Sequence, residues 1–160
     1  MDKKVLVDMI VTHLEELLKA LIDSAKEAKE AATSEESKAE NKYDTRGLEA
    51  SYLAGAQAER AGVLLRAIDT IRKMTILSFN DKKPIQSSAL IEVEMDGDEK
   101  RTFFFIPTQG GIRLELEGQV IQTISPESPI GKLLLNREVG DVFEMKTKDA
   151  THEYEILAVK

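Results

Sequence analysis

Two apolar stripes of helical spacing, separated by a polar and acidic interval, constrain this chain more than any other feature. Leu6, Ile10, Leu14, Leu17, Leu21, Ala25, Ala28 and Ala32 recur at steps of three and four, which sets them along one side of a helix. Ala54, Ala58, Ala61, Leu65, Ile68 and Ile71 repeat that spacing in mirror order. In both runs the alanines stand beside the interval and the large residues far from it. The two helices are therefore expected to pair antiparallel, with alanine contacts letting their axes approach closely. The interval itself, residues 33–46, reads T-S-E-E-S-K-A-E-N-K-Y-D-T-R and carries Glu35, Glu36, Glu40 and Asp44. It is the expected tip of a helical hairpin, either an idle turn or the working end. A plain scaffold or dimerisation hairpin would show the same periodicity. Gly55 and Gly62 interrupt the second run, where each costs about 1 kcal/mol against alanine unless close packing requires it. His13 reads as a partly buried residue of the first helix.

A net charge of −7, with no basic stripe interleaved with aromatics, argues against direct binding to nucleic acid, which requires clustered Lys and Arg to neutralise phosphates. The longest apolar cluster, residues 5–11, is short and broken by Asp8, so no membrane span is expected. Met1-Asp2-Lys3-Lys4 makes a poor signal peptide. With no cysteine there is neither a disulfide framework nor a thiolate metal site. These features fit a cytoplasmic protein.

The composition changes at Thr75, and Asn80-Asp81-Lys82-Lys83-Pro84 reads as a loop. Two domains are expected, a helical arm over 1–76 with its tip near 34–46, and a second domain over 84–160. In the second, residues 88–95 and 100–107 flank the turn Asp96-Gly97-Asp98 as a β-hairpin. Gly110-Gly111 turns the chain into the alternating run 112–116, and Gly118 leads into a strand over 120–125. Ser128-Pro129 starts a helix, with a side-chain cap followed by proline at the first helical position. Strands over 142–146 and 152–159 close the domain, with His152 read as a strand-edge residue. The expected fold is α+β, an antiparallel helical hairpin followed by a small antiparallel sheet carrying one short helix.

The second domain also carries a resemblance. Ser128-Pro129-Ile130-Gly131-Lys132-Leu133-Leu134-Leu135, then Val139-Gly140-Asp141, then Tyr154-Glu155-Ile156-Leu157-Ala158-Val159 resembles the C-terminal signature of the Gre transcript-cleavage factors. That family has an N-terminal coiled-coil arm and a C-terminal FKBP-like domain, a plan that matches the order read here over essentially the whole chain. The resemblance implies that RNA polymerase is the partner and that the protein is not itself an enzyme. The FKBP-like domain would dock at the rim of the polymerase secondary channel, with Ser128, Pro129, Ile130 and Gly131 in the docking region. The arm would enter the channel, and Asn41 and Tyr43 would contact the polymerase near its tip.

In the family an acidic tip, G-D-L-K-E-N-A-E-Y, helps the polymerase hold a second Mg²⁺. Magnesium is a hard cation that takes oxygen ligands, often one or two carboxylates shared with phosphate. Ser37-Lys38-Ala39-Glu40-Asn41 aligns with the family D-L-K-E-N. Glu40 and Asn41 match, and Tyr43 falls one residue early. Ser37 stands where the family has aspartate, and its neutral hydroxyl is a weak Mg²⁺ ligand. Glu36 and Asp44 are the candidates to supply the second carboxylate beside Glu40. By this resemblance the chain binds no cofactor alone, shares Mg²⁺ with the polymerase if it supports cleavage, and works as a monomer. Because relatives of this architecture also tune the polymerase without cleaving, a non-cleaving channel regulator is the alternative. A prolyl isomerase, suggested by FKBP-like topology, would need an aromatic-lined pocket that Phe103-Phe104-Phe105 does not supply while alternating between two faces.

Overall fold

The computed structural model describes residues 1–33 and 46–160. The expected tip, with Glu36, Ser37, Glu40, Asn41, Tyr43 and Asp44, lies outside the described residues. Helix α1 spans Lys3–Thr33 and α2 spans Arg46–Arg72. The chain forms two compact units, Val11–Asp69 on the one hand, and Met1–Ile10 together with Thr70–Lys160 on the other.

Within Val11–Asp69 the two helices form the hairpin that their periodicity predicts, in a slightly different phase. Leu14 and Ala28 are buried on α1, but Leu18 is half-buried whereas Leu17 is 43% exposed. On α2 the inward side is Ala61, Leu64, Ala67 and Ile68, and Leu65 is 55% exposed. Leu17-Leu18 and Leu64-Leu65 are doublets, so steps of three or four fit either member and the spacing alone does not choose. A Cβ built on Gly55 would meet nothing within 4 Å among the described residues, and one on Gly62 only the Arg66 guanidinium at 3.5 Å. Neither glycine is there for close helix contact. His13 is half-buried, as expected.

The second unit is built on a six-stranded sheet, β1 Leu90–Met95, β2 Glu99–Phe105, β3 Arg113–Leu116, β4 Gln119–Ile124, β5 Val142–Lys146 and β6 Thr151–Val159. Its spatial order is β3-β4-β2-β1-β6-β5. A short helix, α3 Pro129–Leu134, lies between β4 and β5 in the chain. The pairs β1–β2 and β5–β6 are antiparallel as read from sequence, and β1–β6 and β3–β4 are antiparallel too. The pair β2–β4 is parallel, so the sheet is mixed. The cause is burial. β4 buries Ile121, Thr123 and Ile124, β3 only Leu114, so the more apolar strand takes the interior place beside β2 and β3 is left at the edge.

The β1–β2 and β3–β4 turns carry the left-handed backbone that tight connections need. Asp96 and Gly97 have φ of 53° and 79°, and Glu117 and Gly118 have 55° and 74°. Glycine at the second position of each relieves the strain. Phe103 and Phe105 join the core formed with Ile91, Val93, Tyr154 and Ile156, onto which α3 folds Leu134. Phe104 is fully buried outside that cluster, as period-two alternation requires. The aromatic run is thus spent on packing.

The first turn of α1 belongs to this unit and is tied into it. The Asp2 carboxylate accepts the Lys4 N–H at 2.8 Å, capping the helix. The Lys3 ammonium donates to the carbonyls of Leu77 and Lys160 and sits 4.9 Å from the Phe79 ring centroid, with Lys83 at 4.8 Å. Burial first, and then the nearby Lys83 charge, lower the pKa of Lys3.

Candidate functional site

The segment that carries the C-terminal signature is a tightly wired connection between β4 and β5. Ser128 has extended backbone, φ −70° and ψ 146°, and its Oγ accepts the Gly131 N–H at 3.1 Å, as a helix cap should. The same hydroxyl donates to the Ser125 carbonyl at 2.8 Å and accepts the Ser125 N–H at 3.3 Å. Pro129 opens the helix where an N–H would have no partner. Gly131 is buried because the chain passes against it, and a Cβ there would lie 2.0 Å from the Ser125 carbonyl oxygen. Asn136, with φ 66°, reverses the chain after α3. Arg137 then donates from Nε to the Leu133 carbonyl at 2.6 Å and stacks its guanidinium 4.9 Å from the Phe143 ring.

Val139-Gly140-Asp141 makes the joint with β6. Gly140, at φ 88°, donates its N–H to the Ile156 carbonyl at 2.8 Å, and the Ile156 N–H donates to the Asp141 carbonyl at 3.0 Å. The Asp141 carboxylate accepts the Glu138 N–H at 3.0 Å. The three signature pieces of sequence thus meet in one structure, and much of what they share is internal bonding. Of the four residues expected in a docking region, Gly131 is buried, Ser128 and Ile130 are half-buried, and Pro129 is exposed. The side chains this segment presents outward are Glu127, Pro129, Lys132 and Leu135. Lys132 and Leu135 belong to the signature itself, whereas Glu127 lies just outside it.

A second polar cluster lies at the β1–β2 turn. Asp96 Oδ2 is 2.6 Å from His152 Nδ1, and Asp96 Oδ1 accepts the Glu153 N–H at 2.9 Å. His152 therefore has an acidic partner and sits on β6, an interior strand, rather than on an edge. The hydrogen bond from His152 first, then that from Glu153, hold the Asp96 carboxyl below the usual range. A depressed pKa stabilises the fold above the unfolded value, about 3.9, and the contribution disappears as pH falls through the folded value. Asp96→Asn should keep the left-handed turn and the acceptor for Glu153 while losing this titration. Its urea midpoint should fall less steeply than that of the native protein as pH drops below about 4. Parallel curves would show that Asp96 contributes nothing to acid stability.

On the sheet beyond α3 lies an open groove of about 260 Å³, lined by Arg101, Arg113, Val120, Gln122 and neighbouring β2 residues. Arg101 is paired with Glu99 at 2.9 Å, and Val120 is 62% exposed. Sequence reading did not mark this groove. Among the described residues no three or more His, Asp or Glu side chains are grouped to hold a metal ion. Nor is any helix long and apolar enough to cross a membrane.

Residues 85–160 match the family described as transcription elongation factor, GreA/GreB, C-terminal, which covers every strand and α3 as described above. The match takes in the sheet domain, a little under half of the chain. Over 38 residues it is 45% identical to the transcription elongation factor GreA of Thermotoga maritima, a stretch amounting to 24% of this chain and 24% of that relative's length. Among solved structures it is similar to GreA factor homolog 1 (Gfh1) of Thermus thermophilus, with 22% identity, 94% of each chain covered and a TM-score of 0.38. Gfh1 of Thermus aquaticus shows 23% identity over 95% of this chain and 92% of that one, also at a TM-score of 0.38.

Proposed function

We propose that the protein is a transcription elongation factor that binds RNA polymerase at its secondary channel and stimulates cleavage of backtracked transcripts. The observation that carries this reading is the match of residues 85–160 to the GreA/GreB C-terminal family, preceded in the chain by a long helical hairpin. Glu127, Pro129, Lys132 and Leu135 offer that domain a mixed polar and apolar docking surface beside the buried signature. Glu40 is the principal tip ligand, joined by Glu36 or Asp44, and Asn41 and Tyr43 contact the polymerase near the active centre. A Mg²⁺ ion shared with the polymerase would activate the attacking water and stabilise the leaving oxygen. The carboxylates of this chain supply hard oxygen ligands that bias the ion toward the polymerase centre. The factor thus adds ligands to an existing active site and works as a cytoplasmic monomer, reaching nucleic acid only through the polymerase.

One residue favours a second reading. Ser37 occupies the position of a family aspartate, and a tip short of one carboxylate would occupy the channel without promoting cleavage, making the protein a regulator or inhibitor. The test is RNA cleavage in a stalled, backtracked polymerase complex with Mg²⁺, with and without the protein. Shortened transcripts that disappear with Glu40→Ala are the expected result. No shortening, combined with protection of the transcript from an added cleavage factor, would establish the regulator instead. Neither effect would remove the polymerase as the partner.

A further inference from the structure

The seam of the helical hairpin changes character partway along. Within Val11–Asp69 the large buried side chains are Val11 and Leu14 on α1 and Leu64 and Ile68 on α2. All four lie in the halves of the helices remote from residues 34–45. Continuing from Leu64 in steps of three and four, the inward positions of α2 become Ala61, Gln57 and Ala54. Of the larger apolar residues described in this distal half, Ile22, Tyr52 and Leu53 stand outside the seam at 49%, 72% and 52% exposed, and Leu21 is half-buried. Small inward side chains remove little apolar surface from water, so apolar burial contributes little to holding the distal pairing closed.

Gln57 adds a direct cost at the same place. Its Oε1 is buried and accepts no hydrogen bond, the one side-chain atom in that condition among the described residues. An acceptor stripped of water and given no partner raises the free energy of the closed form against any open form that hydrates it. A polar residue at an inward coiled-coil position costs stability in the same way.

We propose that Gln57 is a built-in breakpoint, at which the distal half of the hairpin, residues 21–33 with 46–57, opens as a unit while the base stays closed. Opening exposes Ala28 and the covered part of Leu21 and lets the Gln57 amide reach water, whereas opening the base would expose the fully packed Leu14, Leu64 and Ile68. Segments with few buried apolar contacts are those that open locally at low free energy. This property belongs to the isolated hairpin and holds whether or not the protein promotes RNA cleavage.

Hydrogen–deuterium exchange of the full chain, resolved by mass spectrometry, tests it. Peptides within 21–33 and 46–57 should exchange faster than those within 61–68. Gln57→Leu, which places an apolar side chain in the seam, should slow the distal peptides by about tenfold and leave the base unchanged. Gln57→Glu should speed the distal peptides at neutral pH, because a carboxylate tolerates desolvation less well than an amide. Equal exchange along both helices would overturn the proposal. So would a Gln57→Leu effect spread evenly over base and distal half, or no effect of Gln57→Glu.

Discussion

Gly131→Ala should destabilise the sheet domain by about 3 kcal/mol, seen as a large drop in the urea midpoint. The added methyl carbon would stand 2.0 Å from the Ser125 carbonyl oxygen and 2.6 Å from Ser128 Oγ. Neither neighbour can simply withdraw. The Ser125 carbonyl already accepts the Ser128 hydroxyl at 2.8 Å and the Ser128 N–H at 3.0 Å. From its other side the same turn is pressed by Gly110, where a Cβ would lie 2.8 Å from the Ser125 nitrogen. Relief would require moving α3, and with it Leu134, which is fully buried in the core. Overpacking of this kind usually costs 1–3 kcal/mol and more when backbone is the obstacle. A variant with the native midpoint would mean that the turn yields freely and that Gly131 is not a packing requirement.

The second large effect concerns the tip. If the protein is a channel occupant held back by its serine, Ser37→Asp should raise transcript cleavage on the order of 10- to 100-fold, by analogy with the cost of disturbing the surroundings of a metal centre. The argument is one of ligand chemistry. A serine hydroxyl brings no charge to a divalent cation, whereas a carboxylate brings a full negative charge and two oxygens. Cleavage should be measured beside competition with an active cleavage factor for the same polymerase, so that binding and chemistry are read separately. Unchanged cleavage with undiminished competition would mean that Glu36 or Asp44 already completes the pair, or that the tip does not serve a metal.

Much of the sheet domain can be read directly from local chemistry. Ser128-Pro129 predicts a cap and a first helical residue, and the hydroxyl does accept the Gly131 N–H. Alternation and turn residues place the strands within a residue or two, because those signals act between near neighbours. What stays hidden is determined by distant partners. Nothing near β3 or β4 says which of them lies beside β2, since that depends on comparing the burial of whole strands. The Asp96–His152 pair joins residues 56 positions apart. On the hairpin, leucine doublets leave the phase of each helix open until the other helix is present. The signature is legible in the sequence, yet Gly131 and the Ser128 hydroxyl are occupied by packing and capping. That Lys132 and Leu135 are the exposed members of the signature emerges only once α3 is packed.

The position of β6 has a consequence for how this domain is assembled. β6 follows the other five strands in the chain, yet it lies inside the sheet, paired to β1 on one side and β5 on the other. Until residues 151–159 arrive, β1 presents an open row of backbone donors and acceptors bordered by Ile91 and Val93, a ready template for another chain. β5 meanwhile has no strand to join. The β1–β2 and β3–β4 hairpins can form early from local contacts, but closing the sheet requires a pairing across some sixty residues, the kind of step that slows folding. During synthesis this interval is the period of greatest exposure to misassociation.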